Sequence, residues 1–188
     1  MAQVAAERVN QIQDPERSIN QALLDYKWLG YSDNWINQLL KSIEIRKDLT
    51  DQWKEHNVKE GVQYATLTDI IYQAWTGKSA KEYKNFKGLK KENLRDNMTN
   101  EELVLNMLAE LSTTSITKAK DPQSFEENQQ CAAEGGNVAF VARQELEAKT
   151  GRSVITPLSA KRFFDKQSED KEDLNSNRQC NSVEFIVS

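Results

Sequence analysis

Two cysteines, one histidine, three prolines and seven glycines are spread over 188 residues, and each scarcity closes off a class of protein. Cys131 and Cys180 are too few and too far apart in sequence to make a disulfide framework. With His56 as the single histidine, no multi-histidine metal site can form, and a Ser-His-Asp arrangement would depend on that one ring in "KEHNVKEG". So few turn formers disfavour a β-sandwich, which needs a turn signal about every ten residues. No apolar run approaches the roughly 18 to 20 residues that span a bilayer, and "MAQVAAERVN" has no basic stretch followed by an apolar one. The expectation is a cytoplasmic protein with no membrane segment.

What is present is polar and helical in pattern. Apolar residues make up 38% and charged residues 29%, with mean hydropathy −0.75, which predicts thin cores and long solvated faces. Apolar spacing begins almost at once, with Val4, Ala5, Val9 and Ile12 and no capping residue ahead of them. Asp14 and Pro15 form a helix start whose helix Gly30 ends. Ser32 caps a stripe of Trp35, Ile36, Leu39, Leu40 and Ile43. Thr50 reads as the cap of a short helix through Trp53, broken at Gly61. "VQYATLTDIIYQAWTG" reads as a helix closed by Gly77, with a strand left open as the alternative because of its β-branched content.

Two capping boxes follow, Ser79 with Glu82 and Thr99 with Glu102. The second opens a long helix whose expected buried stripe is Leu103, Met107, Leu108 and Leu111. Asp121 and Pro122 read as the start of a helix that Gly135 and Gly136 stop, and Val138 to Leu146 as a further helix ended by Gly151. From Asp165 to Ser182 the chain is almost devoid of apolar residues and reads as a disordered tail, although the last residues, "VEFIVS", are apolar and β-prone. The fold expected is all-α, a multi-helix bundle, either whole or as two small helical units, with boundaries 1–77, 78–162 and a tail at 163–188.

Few residues suit catalysis. His56 reads as a solvated helix-end histidine, and Cys131, beside Ala132, as a small core hydrophobe. Gly135-Gly136 reads as a tight inter-helix turn rather than a phosphate cradle. The helices around it raise a helix-turn-helix reading, which the neutral balance of Arg143, Glu145, Glu147 and Lys149 weakens. A carboxylate pair such as Glu110 with Glu126 is the weakest of the enzymatic readings. No enzyme, cofactor, metal or small-molecule substrate is expected.

The charged segment is the stronger feature. Between Lys78 and Arg95 stand seven cationic residues and two glutamates, a local balance of +5 in a chain of net charge −4, which leaves the remainder at about −9. Lys84, Lys87, Lys90, Lys91 and Arg95 are the phosphate-facing candidates, and a plain solvated face is the competing reading. Trp28, Tyr31 and Trp35 form a second candidate surface, since Trp and Tyr serve as interface anchors as well as core.

Three long stretches carry a resemblance. "GYSDNWINQLLKSIEIRKDLTDQWKEHNVKEGVQYATLTDIIYQAW", "EYKNFKGLKKENLRDNMTNEELVLNMLAE" and "FEENQQCAAEGGNVAFVARQELEAKTGRSVI" resemble the C-terminal region of bacterial and phage Bro-N domain proteins, described as phage antirepressors or the DNA-damage-inducible protein D family. The resemblance runs from about Val4 to Arg162. It implies that the chain lacks the N-terminal DNA-binding module of that family, with "VAAERVNQIQDPERSI" just after the boundary. It departs from the family at Gln129 and Gln130, where lysines are expected, and at Phe140, where a small residue is expected.

The expected function is that of a non-enzymatic accessory module of a DNA-damage-response or phage-regulatory protein, associating with nucleic acid or nucleoprotein through the basic segment. The alternative is a protein-interaction or oligomerisation module that docks a repair or repressor protein without touching DNA. Its partners would be DNA, a DNA-bound protein or a second copy of the chain, and not a membrane.

Overall fold

The computed structural model describes residues 24–160. The expectations for the uncapped N-terminal pattern, the Asp14–Pro15 helix start, Cys180 and the 163–188 tail lie outside the described residues. Among those described, the protein is all-α and has no strand. Residues 24–28 are helical, and Gly30 turns the chain with φ 88°.

Helix α1 spans Asp33–Glu55, with the Ser32 hydroxyl accepting from the Trp35 N–H. Its buried positions are Trp35, Ile36, Leu39, Ser42, Leu49 and Trp53. The stripe therefore passes through Ser42, and Ile43, expected inside, is exposed. Thr50 starts no new helix. Its hydroxyl donates to the Lys47 carbonyl at 2.8 Å, so the backbone keeps its helical bonds and runs on to His56.

Helix α2 spans Val62–Thr76 between Gly61 and the left-handed Gly77. The open strand alternative is settled as helix by the burial of Leu67, Ile71 and Trp75 four residues apart. Helix α3 spans Ala80–Phe86 and helix α4 Asn100–Lys120, and both expected capping boxes are formed. A 3-10 turn at Arg95–Asn97 lies between them.

On α4 the inward face differs from the apolar stripe expected. Leu103 is buried, but Leu111 is exposed, and a polar row of Glu102, Asn106, Glu110, Thr113 and Thr117 lies inside instead. This helix packs against α1 on one side and α5 on another, so apolar periodicity alone does not identify a single buried face.

Helix α5 spans Phe125–Thr150 without interruption, and its cap is Ser124. Asp121 is the left-handed C-cap of α4 (φ 48°), so the helix expected at Asp121–Pro122 begins three residues later. Gly135 and Gly136 do not stop it. They are ordinary helical residues where α5 lies close against α4 and α2. A Cβ on Gly135 would lie 2.5 Å from the Thr113 backbone nitrogen, and one on Gly136 would lie 2.5 Å from the Ala74 Cβ. The glycines thus let α5 press against α4 on one flank and α2 on the other. With no turn at that point, the helix-turn-helix reading is withdrawn.

A short link makes α4 and α5 antiparallel, as Lys120–Glu134 at one end and Arg152–Glu101 at the other require. In space the main packing order is α1, α4, α5, α2. Elements before and after Gly77 share one core, in which Trp35, Trp53, Trp75 and Tyr83 are all completely buried.

Candidate nucleic-acid interface

The five basic candidates separate in space. Lys87 turns inward, and its side chain is 0% exposed. Its ammonium pairs with Glu102 Oε2 at 2.8 Å and donates to the carbonyls of Thr156 and Leu158 at 3.0 and 2.8 Å. Glu102 in turn accepts from the Tyr83 hydroxyl and from the backbone N–H groups of Thr99 and Thr156. Burial pushes the Lys87 ammonium down from its usual range, with Glu102 opposing that shift. Lys87 cannot face phosphate: it tethers the chain after α5 to the start of α4.

Arg95 is also engaged, but at a surface. Its Nη2 donates to Glu110 Oε1 at 2.7 Å and its Nη1 to the Ser42 carbonyl at 2.6 Å. The same Glu110 oxygen accepts from Arg46 Nη1 at 3.4 Å, and Arg46 Nη2 donates to the Thr68 hydroxyl. Arg46 also lies 5.0 Å above the Trp53 ring. Glu110 is 1% exposed, so one buried carboxylate holds two guanidinium groups in fixed orientation. A guanidinium has five N–H donors, more than these contacts consume.

Above this pair opens a groove of about 790 Å³. Helix α1 supplies Ile43 and Arg46, α2 supplies Thr68, Asp69 and Tyr72, and α3 supplies Lys81 and Lys84. The 91–96 segment closes it with Lys91, Leu94, Arg95 and Asp96. Five cationic side chains thus face two acidic ones. Lys81, Lys84 and Lys91 make no ion pair among the described residues, and Lys81 and Lys91 are exposed. Glu92 accepts from the backbone N–H groups of Lys90 and Lys91, which fixes the loop that presents Lys91. Lys90 is exposed but lies outside the groove lining.

The acidic members are already occupied. Asp69 Oδ1 accepts from the Ala80 N–H at 2.9 Å. Asp96 is hydrogen-bonded to the Tyr26 hydroxyl, and burial pushes its carboxyl up from the ordinary range. Tyr72, on the floor, is pushed up to about 12 by burial, against the opposing effect of Arg95. The floor is therefore a neutral phenol beside fixed positive charge.

The aromatic candidates separate too. Trp35 is 0% exposed and donates its indole N–H to the Met98 carbonyl at 2.9 Å, so it is core and not surface. Tyr31 stacks on Trp35 with ring centroids 4.2 Å apart. Trp28 is 91% exposed, and Leu24 and Leu29 beside it in sequence are exposed as well.

The remaining candidates find structural roles. His56 caps α1, half-buried rather than solvated, with Nδ1 against the Gln52 carbonyl and Nε2 3.3 Å from Asp121. Cys131 is buried, and burial pushes its thiol up. Glu126 is exposed in the first turn of α5 while Glu110 serves the two arginines, so the carboxylate pair is not assembled. No helix among the described residues is long and apolar enough to cross a membrane, and no group of His, Cys, Asp and Glu there could hold a metal ion.

Arg46 was not legible as a groove residue. "IEIRKDL" reads as a neutral charged face, and only the crossing of α1 over α4 brings Arg46 to Arg95. No family model matches the chain, and no curated protein or solved structure matches it.

Proposed function

We propose that this chain is a non-enzymatic module that associates with nucleic acid or nucleoprotein through the groove between α1, α2, α3 and the 91–96 segment. The setting implied by the Bro-N resemblance, a DNA-damage response or phage regulation, belongs to the same proposal. One observation carries it: three lysines without ion-pair partners stand around two arginines that are already oriented by a buried carboxylate. Lysines outside any ion pair beside oriented arginines suit a chain of phosphates, which takes point charges and forked donors together.

The test is the salt dependence of oligonucleotide binding. If all five groove cations meet phosphates, the slope of log K against log salt is about −3.5 for a single strand and about −4.5 for a duplex. Lys81→Gln, Lys84→Gln and Lys91→Gln together should reduce its magnitude by about 2 to 3. An unchanged slope in that variant, or no binding at low salt, removes the proposal.

A second reading rests on Trp28. An indole 91% exposed next to exposed Leu24 and Leu29 suits docking of a repair or repressor protein, or of a second copy of the chain. The oligomeric state, measured beside the binding experiment, separates the two.

A further inference from the structure

The groove has features that discriminate between forms of nucleic acid. Its volume, about 790 Å³, is that of a pocket for one small ligand, typically about 300 to 1,000 Å³. Its arginines are recessed, with side chains only 24% exposed for Arg46 and 13% for Arg95. A duplex carries its phosphates on a stiff, convex cylinder, which can touch Lys81 and Lys91 at the rim but cannot descend to the floor. A single strand bends into such a groove.

The walls point the same way. Ile43, three residues before Arg46 on α1, is 53% exposed in the groove lining, so apolar surface lies beside the cations. Paired bases would keep their faces stacked away from that wall, whereas unpaired bases can lie against it. Asp69 and Asp96 disfavour phosphate at two fixed places in the groove.

We propose that the groove takes a single strand of nucleic acid, with phosphates on the Arg46–Arg95 floor and the lysine rim and bases against Ile43. The inference rests on the reading of the groove as a nucleic-acid site and specifies the form of its ligand.

The experiment uses the full chain with a short labelled oligothymidylate, an oligouridylate and a hairpin duplex of equal phosphate number, and inorganic polyphosphate as competitor. The single strand is expected to bind about ten-fold more tightly than the hairpin, a difference the size of one good base contact. Ile43→Ser, at an exposed position, is expected to weaken single-strand binding roughly three- to ten-fold without altering the salt slope or the melting temperature. The two single strands distinguish RNA from DNA as the source of the same backbone chemistry. Equal or tighter binding of the hairpin overturns this inference and leaves the nucleic-acid reading intact. Equal competition by polyphosphate with no effect of Ile43→Ser overturns it in favour of a general polyanion site. Absence of binding by any oligonucleotide at low salt overturns both readings together.

Discussion

Gly135→Ala is the sharpest perturbation of this fold, because two physical arguments about it have opposite signs. At an exposed position inside a helix, Gly to Ala is favourable by about 1 kcal/mol. Gly135 is inside α5 but not exposed: its added Cβ would lie 2.0 Å from the Thr113 hydroxyl oxygen, 2.5 Å from the Thr113 nitrogen and 2.6 Å from its Cα. Ordinary heavy-atom contacts need about 3.5 Å, so α4 and α5 would have to separate by about 1 Å. A rotamer change of Thr113 relieves only the first contact, since the other two are backbone. Overpacking costs about 1 to 3 kcal/mol and occasionally more, and backbone overlap puts this case at the upper end.

After the helical gain is subtracted, a net loss of about 2 kcal/mol is expected, which lowers the melting temperature by about 4 to 8 °C in a chain of this size. Urea unfolding followed by far-ultraviolet circular dichroism, with an unchanged m-value, measures it. Adding Thr113→Ala should recover only a small part. At the neighbouring crossing, Ala74→Gly should recover more of Gly136→Ala, because the nearest contact there is the Ala74 Cβ at 2.5 Å, with the Ile71 carbonyl left at 2.9 Å. If Gly135→Ala stabilised the protein by about 1 kcal/mol, the close crossing of α4 and α5 would be refuted.

Lys87→Met keeps the stem but removes the charge that faces Glu102, and breaking a buried pair costs about 3 to 5 kcal/mol. The lower figure is expected because Glu102 retains its donors Tyr83, Thr99 and Thr156; among folded molecules the salt slope of oligonucleotide binding should not change, and a reduced slope would put Lys87 at the surface. Alkaline pH should unfold the protein through its buried phenols. Tyr72 is raised to about 12 by burial and Tyr83 is raised further by burial and Glu102, so the unfolded chain loses these protons first. Their contribution is fully present below about pH 10 and is lost as pH rises through the folded values, at about 1.4 kcal/mol per pH unit for each phenol. Lys87, shifted down from its ordinary 10.5, acts in the opposite direction and below that value, so the difference between the wild type and Tyr72→Phe isolates Tyr72. Phenolate absorbance from Tyr72 appearing while helical ellipticity is intact would contradict its burial.

Local chemistry was legible at most positions where a residue acts within a turn of its own place, though not at Thr50 or Ser124, whose bonds reach Lys47 and Glu127. Ser32, Ser79, Thr99 and Gly77 each set a helix boundary through a hydrogen bond to a nearby N–H or through a positive φ, and all of them stand where the sequence places them. The other misread positions were those where a neighbour far along the chain decides. A glycine pair signals a turn by backbone freedom alone, yet Gly135 and Gly136 serve as contact surfaces for Thr113 and Ala74.

The same division runs through the candidate site. The sequence by itself determined an all-α chain with a basic stretch centred between two capping boxes, because helix propensity, capping and charge are properties of short segments. Which of those charges reach the surface was decided only by tertiary structure. Lys84 and Lys87 lie three residues apart, yet Lys84 lines the groove while Lys87 is drawn in by Glu102 and two carbonyls from beyond α5. Arg46 joins the groove from 49 positions before Arg95, through a carboxylate that neither shares a helix with. A buried ion pair depends on the partner that folding brings to it, and that partner is not written in the local pattern.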